Sequence, residues 1–400
     1  MEYQTLTKIY YKNPDQYLEI YKNRIYAFDT KHFNFLIKQF NRRTAFPAFL
    51  CYTEEMMLLA EKIYKQQENF LQLLTKVSPI LLNQFNLISV LEEVKSTNEI
   101  EGIYSTRREL KEIIESESKS SRFFGIIKKY KSLTSNEKLN FQTCEDVRKF
   151  YDDFAHSEVI LEKPSAKLDG KIFRKDSVDI TSDKDKTLHR GAYPEEKIIE
   201  LMSTALEILN NEKIPTLVRI PIFHYFFEYI HPFYDGNGRT ARFIVSYFLA
   251  KHFHYLPALR LSIVIKKQRR KYYKLFQETD SEINCGDLTP FVTSFMQIIS
   301  DTFADTEFYL NRKIKQVEEN KKRLFTVVNG DELTLKIYEI LLESSLFFGS
   351  GVTMSDLMKL TGKSINTIKS RLNSIPEEHI VTVDNKKIFY KLNMMILKNK

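Results

Sequence analysis

The segment from Leu217 to Ile230 is apolar on nearly every side, and this narrows the possible folds more than any other feature of the chain. A helix without a polar face must be buried from all directions, so other elements have to be layered around it. Pro221 inside it implies a kink or a late start. After a glycine-rich turn, Thr240 to His252 is again apolar and helical, while upstream Pro194 opens a helix with Ile198, Leu201, Ala205 and Leu209 on about one face. Helices packed about a buried helix set a mainly α fold. The 11 Gly and 11 Pro among 400 residues favour that over a turn-rich β architecture, and the length suits two or three packed units.

Around this centre the pattern is uneven. The first 50 residues are aromatic and basic with no strong period. Glu54 to Val94 reads as helical, with Leu81, Phe85, Ile88, Leu91 and Val94 at helical spacing, Pro79 where a first turn tolerates it and Gly102 as a stop. Segments 116–121 and 132–138 read as loop, with a short exposed helix at Glu109–Ile114. Lys171–Arg174 and Val178–Ile180 flank polar turn residues 181–186 and read as a β-hairpin. Glu307–Arg323 reads as a charged helical connector and Leu333–Leu392 as a separate small domain. There Thr353 and Ser364 are N-cap residues for Met354–Thr361 and Ile365–Leu372, Gly362 breaks the two, and Ile380–Val383 and Lys387–Leu392 alternate about an Asp384-Asn385 turn.

Several classes of function fall away. Cys51, Cys144 and Cys285 are odd in number and unpaired in spacing, so neither a disulfide framework nor a zinc knuckle is supported, and no His-Glu-x-x-His pattern occurs. No apolar run is long enough to span a bilayer and Met1–Tyr11 lacks a signal-peptide core, so the expected location is cytoplasmic with no membrane partner. The net charge of +8 is concentrated: residues 363–400 hold eight Lys or Arg against Glu377, Glu378 and Asp384, a local excess of +5. That excess points to an anionic partner for the C-terminus.

The chemistry is concentrated in the turn His231-Pro232-Phe233-Tyr234-Asp235-Gly236-Asn237-Gly238-Arg239-Thr240-Ala241-Arg242. Gly236, Asn237 and Gly238 let the backbone bend and turn successive N–H groups inward, where the next helix presents its own unpaired N–H groups, so phosphate is the natural guest. Arg239 and Arg242 are three residues apart on the first turn and can clamp separate phosphate oxygens. Asp235 supplies a hard oxygen suited to Mg²⁺ on a polyphosphate. His231, which Pro232 should hold extended, has an ordinary pKa of about 6.5, fit for a base at neutral pH. Together these groups describe transfer of a phosphorus group to a hydroxyl.

The turn resembles the signature of the Fic family, His-x-Phe-x-[Asp/Glu]-Gly-Asn-Gly-Arg-x-x-Arg, at every specified position. The resemblance implies a compact helical core that binds ATP and transfers AMP to a Tyr, Thr or Ser hydroxyl of a target protein or of itself. His231 would deprotonate the hydroxyl and Asp235 hold Mg²⁺. Gly236, Asn237, Gly238, Arg239 and Arg242 would hold the phosphates, and Phe233 would anchor the core. The family's target-binding hairpin, or flap, would fall at about 171–189. Thr97-Asn98-Glu99-Ile100-Glu101-Gly102 is similar to the family's inhibitory signature, [Ser/Thr]-x-x-x-Glu-[Gly/Asn], on a helix at about 81–102. By that likeness Glu101 pairs with Arg242 and removes the γ-phosphate clamp. Glu99 is the alternative partner, and Glu101 could also orient water for AMP removal. His224, seven residues before His231, reads as a core histidine.

The resulting division is an N-terminal helical region at 1–79, a catalytic core at 80–305, a charged connector at 306–329 and a small domain at 330–400. The last resembles a winged helix, whose Lys363, Lys369, Arg371, Lys386 and Lys387 suit DNA phosphates, although protein docking is equally compatible. A homodimer remains open. The alternative function is a DNA-binding regulator that uses the nucleotide site as a sensor, against which stands the intact base His231.

Overall fold

The computed structural model describes residues 3–116, 121–135, 137–181, 186–347, 349, 351–385 and 387–397. Parts of the expected loops at 116–121 and 132–138, most of the hairpin turn at 181–186, and Lys386 therefore lie outside the described residues.

The helices that position the site are α1 (Pro79–Ile100), α2 (Glu195–Asn210), α3 (Thr216–Ile230), α4 (Asn237–His252) and α5 (Arg269–Asp280). A 39-residue helix, α6 (Thr289–Val327), follows, and then α7 (Glu332–Ser345), α8 (Met354–Thr361) and α9 (Ile365–Ser374). The strands are β1 (Lys31–Lys38), β2 (Ala45–Leu50), β3 (Asp179–Thr181), β4 (Thr187–Arg190), β5 (Val352–Thr353), β6 (Ile380–Asn385) and β7 (Lys387–Leu392). They form an antiparallel β1–β2 pair, an antiparallel β3–β4 pair and a three-stranded sheet in the order β5-β7-β6. The chain is thus mainly α with small β elements.

The apolar segment is the buried centre that its composition demanded. Ile220, Ile222, Phe223, Phe226, Phe227 and Ile230 of α3 have no exposed surface. The helix starts at Thr216 and carries Pro221 internally, so the late start did not arise. Phe226 stacks on Phe35 of β1 with ring centroids 3.8 Å apart, which shows what the first 50 residues contribute: a hairpin besides the expected helices. His224 is the core histidine expected, its Nε2 2.7 Å from the Tyr272 hydroxyl.

The chain forms two compact units, residues 1–68 with 90–305 and residues 69–89 with 306–400, in place of four successive segments. In the second unit the segment expected to be a bare connector is core. Leu324 and Val328 join Ile337, Leu341, Leu357, Ile368 and Leu392, and Phe85 of α1 lies 6.0 Å from both Tyr309 and Phe347. The alternation of apolar and charged residues along 306–329 is the signature of a helix with one covered face. Thr353 and Ser364 cap α8 and α9 as expected, Thr353 through a full capping box, and Gly362 between them has φ 68°. The helix Arg107–Ser116 is not exposed as expected, because Leu110, Ile113 and Ile114 are buried.

Candidate active site

The turn between α3 and α4 begins with a constraint that the sequence did not disclose. His231 has φ 53° and ψ 63°, left-handed where Pro232 suggested an extended residue. A non-glycine residue rarely adopts this conformation unless its surroundings hold it there. Here its N–H donates to Phe227 O at 2.9 Å while Arg174 seizes the carbonyl side: Arg174 Nε donates to His231 O at 2.9 Å and Nη2 to Ile230 O at 3.2 Å. Arg174 has no exposed surface and neutralises the carbonyl end of α3. Gly191 leaves room for it, since a Cβ there would lie 2.5 Å from Arg174 Nη2.

The imidazole is fixed as well. Nδ1 lies 3.3 Å from Glu228 O, a carbonyl that can only accept, so Nδ1 carries the proton and Nε2 keeps its lone pair. Burial, reinforced by the nearby Arg174 and His189 charges, pushes the ring down to about 3. His231 is therefore neutral at physiological pH.

Beyond it, Phe233 stacks on Tyr151 with centroids 3.7 Å apart and planes at 9°, and the Tyr151 hydroxyl donates to Asp235 O at 3.1 Å. Gly236 takes φ 78° as the residue before α4. The side chain of Asn237 braces the turn: its Nδ2 donates to Phe233 O at 2.7 Å and its Oδ1 accepts from Phe233 N at 2.9 Å. These bonds hold the carboxamide against the backbone of Phe233, and the backbone N–H groups at the start of α4 are the groups suited to cradle an anion. Asp235 is the open group of the turn, with its side chain 42% exposed.

Both arginines are buried and paired. Arg239 is bonded to Glu158, on the short helix Ser157–Glu162, and each side chain is 1% exposed. Arg242 donates through Nε to Thr97 Oγ1 at 3.0 Å and through Nη2 to Thr97 O at 3.2 Å. Its Nη2 also lies 2.7 Å from Glu101 Oε1, immediately past the end of α1. Glu99 points elsewhere, pairing with Lys95 at 2.5 Å and with Lys266. The Glu101 carboxylate fills the space over the cradle, because a Cβ on Gly238 would meet its Oε1 at 2.2 Å. Glu158, Arg174 and Glu228 were not singled out in the sequence. Glu158 and Arg174 lie outside the signature, Arg174 in a run read only as a strand, and the polar Glu228 within a mostly apolar helix was a visible signal.

The expected hairpin is shorter than its sequence suggested. β3 pairs with β4 with Ile180 opposite His189, but residues 171–173 form no strand. Their N–H groups all go to Glu195 instead: Lys171 N to Oε2 at 2.9 Å, and Ile172 N and Phe173 N to Oε1 at 2.6 and 2.9 Å. A carboxylate that takes three amides removes the donors a strand partner would need.

Residues 145–249 match the Fic/DOC family. Over 87 residues the chain is 40% identical to the protein adenylyltransferase Fic of Drosophila erecta and 39% identical to that of Drosophila melanogaster, a stretch covering 21% of this chain and 16% of each relative. The chain thus matches about one sixth of the length of these curated relatives. Among solved structures, a Fic family protein from Desulfovibrio desulfuricans G20 shares the fold with a TM-score of 0.52 at 19% identity, over 86% of this chain and 97% of that one. The signature turn, the buried helix pair that carries it and the family match fall on one segment, and residues 145–249 form a domain of the Fic/DOC family.

Proposed function

We propose that this protein is an adenylyltransferase that moves AMP from ATP to a hydroxyl of a target protein, itself included, and that Glu101 restrains it. The observation that carries this reading is a neutral His231 with its Nε2 lone pair available, one turn from a helix N-terminus shaped for phosphate. The target hydroxyl gives its proton to His231 Nε2 as its oxygen bonds to the α-phosphorus. The bond from that phosphorus to the bridging oxygen breaks, and pyrophosphate leaves with the electron pair. The N–H groups of Asn237, Gly238 and Arg239 offset the growing charge. Asp235 is an exposed single carboxylate, which fits Mg²⁺ bound chiefly by phosphates, and the metal would supply charge neutralisation there.

In the closed state Glu101 occupies Arg242 and overhangs Gly238, so ATP cannot settle productively until the carboxylate leaves. The same carboxylate could orient water for removal of AMP. Incubation with labelled ATP tests the reading: Glu101→Gly should label itself or a protein target, and a Glu101→Gly protein that binds ATP yet transfers nothing would overturn it. The order of α7, β5, α8, α9, β6 and β7 supports a winged helix at the C-terminus. There Lys363 and Lys369 are exposed, while Arg371 pairs with Asp331 at 2.5 Å. This region would select the target or bind DNA. Among the described residues no helix is long and apolar enough to cross a membrane.

A further inference from the structure

Glu228 stands apart from every role assigned so far. It lies one turn before His231 on α3, with its side chain 13% exposed, and its Oε2 is 3.8 Å from His231 Nδ1. Its Oε1 is buried and has no hydrogen-bond partner among the described residues. A carboxyl in a buried helix with an unpartnered oxygen is costly unless it does something in another state of the site.

The groups that face it come from several elements. Glu101 approaches from the end of α1, Arg242 from α4, His189 from β4 and Tyr272 from α5, with His231 at the end of its own helix. Arg174 holds the backbone carbonyl of His231 and adds its charge beside the ring. His189 is itself 3.2 Å from Asp280, which takes up part of its charge. Arg242, whose charge acts on Glu228, is already bonded to Glu101, so a second ionised carboxylate would be repelled by the first without gaining the arginine.

We propose that Glu228 is a positioning residue of the AMP-transfer reaction, a carboxyl between His231 and the Glu101–Arg242 pair that sets the basicity of His231 according to whether that pair is closed. The inference rests on the adenylyltransferase reading above. With the pair closed, burial and the Glu101 charge raise the Glu228 carboxyl to about 8, so it stays protonated near neutral pH and lends His231 no negative charge. When Glu101 withdraws, the repelling neighbour is gone and Arg242 is free to stabilise a carboxylate. Glu228 then loses its proton to water. Its negative charge beside Nδ1–H stabilises the imidazolium that forms when Nε2 takes the hydroxyl proton. One movement of Glu101 thereby frees the phosphate clamp and strengthens the base.

The test compares Glu101→Gly with Glu101→Gly/Glu228→Gln, the glutamine keeping the shape and removing the charge. In the single variant the pH profile of single-turnover AMP transfer should have an acid limb set by His231. In the double variant that limb should move down by roughly one pH unit and the plateau fall about tenfold, because the imidazolium has lost its partner. Superimposable profiles with equal plateaus would overturn the proposal while leaving the adenylyltransferase reading intact. Absence of transfer in the single variant would sink that reading instead, and a second measurement then decides the proposal. Titration of isotope-labelled His231 by NMR, without nucleotide, should give a lower pKa in the double variant than in the single one. Equal values would overturn it, and matched thermal melts of the two proteins guard against a folding artefact.

Discussion

Glu101 and Arg242 form a lopsided ion pair: their atoms are 2.7 Å apart, but the arginine side chain is 1% exposed and the glutamate 30%. The buried cation is held by Thr97 as well, whereas the half-open carboxylate can turn into water, so the pair opens from the glutamate side. Replacing Glu101 with Gly should raise AMP transfer about ten- to hundredfold, equivalent to about 1.5–3 kcal/mol. Glu99→Gly is the control, since its carboxylate pairs with Lys95 and Lys266. A large gain from Glu99→Gly with none from Glu101→Gly would place the restraint on the wrong residue.

Gly238→Ala should be more destabilising while Glu101 is present than in its absence. The new methyl would meet Glu101 Oε1 at 2.2 Å and Arg242 Nη1 at 2.9 Å, both closer than atoms pack. A loss of about 1–3 kcal/mol is expected in the wild-type background and a smaller one in Glu101→Gly. Denaturant melts of the four proteins of this cycle measure the difference, and equal losses in both backgrounds would mean that the carboxylate does not cover the glycine.

His231→Ala should abolish AMP transfer and leave ATP affinity within about threefold, because the groups proposed to hold the phosphates are others. Arg174→Met should lower both transfer and thermal stability, since the carbonyls of Ile230 and His231 lose a buried donor. Isothermal titration with ATP alongside rate measurements separates the two. If Arg174→Met transferred AMP at the wild-type rate, the left-handed backbone at His231 would not depend on this side chain.

The turn was largely legible in the sequence and its supports were not. The residues of the signature carry their chemistry in their identities and spacing, and Glu101 could be matched to Arg242 because both sit in recognisable patterns. Glu158 and Arg174 act through tertiary contact and belong to no functional motif, so nothing local marks their role. The first hairpin strand failed for a similar reason: the β-like run Lys171–Arg174 is a good strand by propensity, but Glu195, more than 20 residues away, takes its amides. The boundary near residue 330 failed because charge along a helix was read as a solvated spacer when one face of that helix is core.

Stability should depend on pH through Glu228. Its folded carboxyl is raised to about 8 from an ordinary 4.5, so the folded state binds the extra proton between those values. The sign follows from linkage: stability from this group is full below pH 4.5 and declines as pH rises through about 8. Glu228→Gln should therefore melt several degrees above wild type at alkaline pH and close to it under acid conditions. Parallel melting curves that never converge at low pH would refute the assignment.

Deleting residues 330–400 should not leave a clean remainder. Leu324 and Val328 would lose Ile337 and Leu341, and Phe85 would lose Phe347, so the truncated chain should bind a hydrophobic dye and aggregate. A soluble, dye-silent truncation with a sharp cooperative melt would show that these contacts are dispensable.

The two hydrogen bonds between Asn237 and the Phe233 backbone close the phosphate turn on itself with no ligand involved. A loop tied in this way is ordered when the protein folds, so nucleotide meets a finished socket and association carries little penalty for lost backbone freedom. Nucleotide exchange should then be limited by diffusion and by the swing of Glu101, and the heat of binding should show none of the large compensating entropy that marks a segment folding around its ligand.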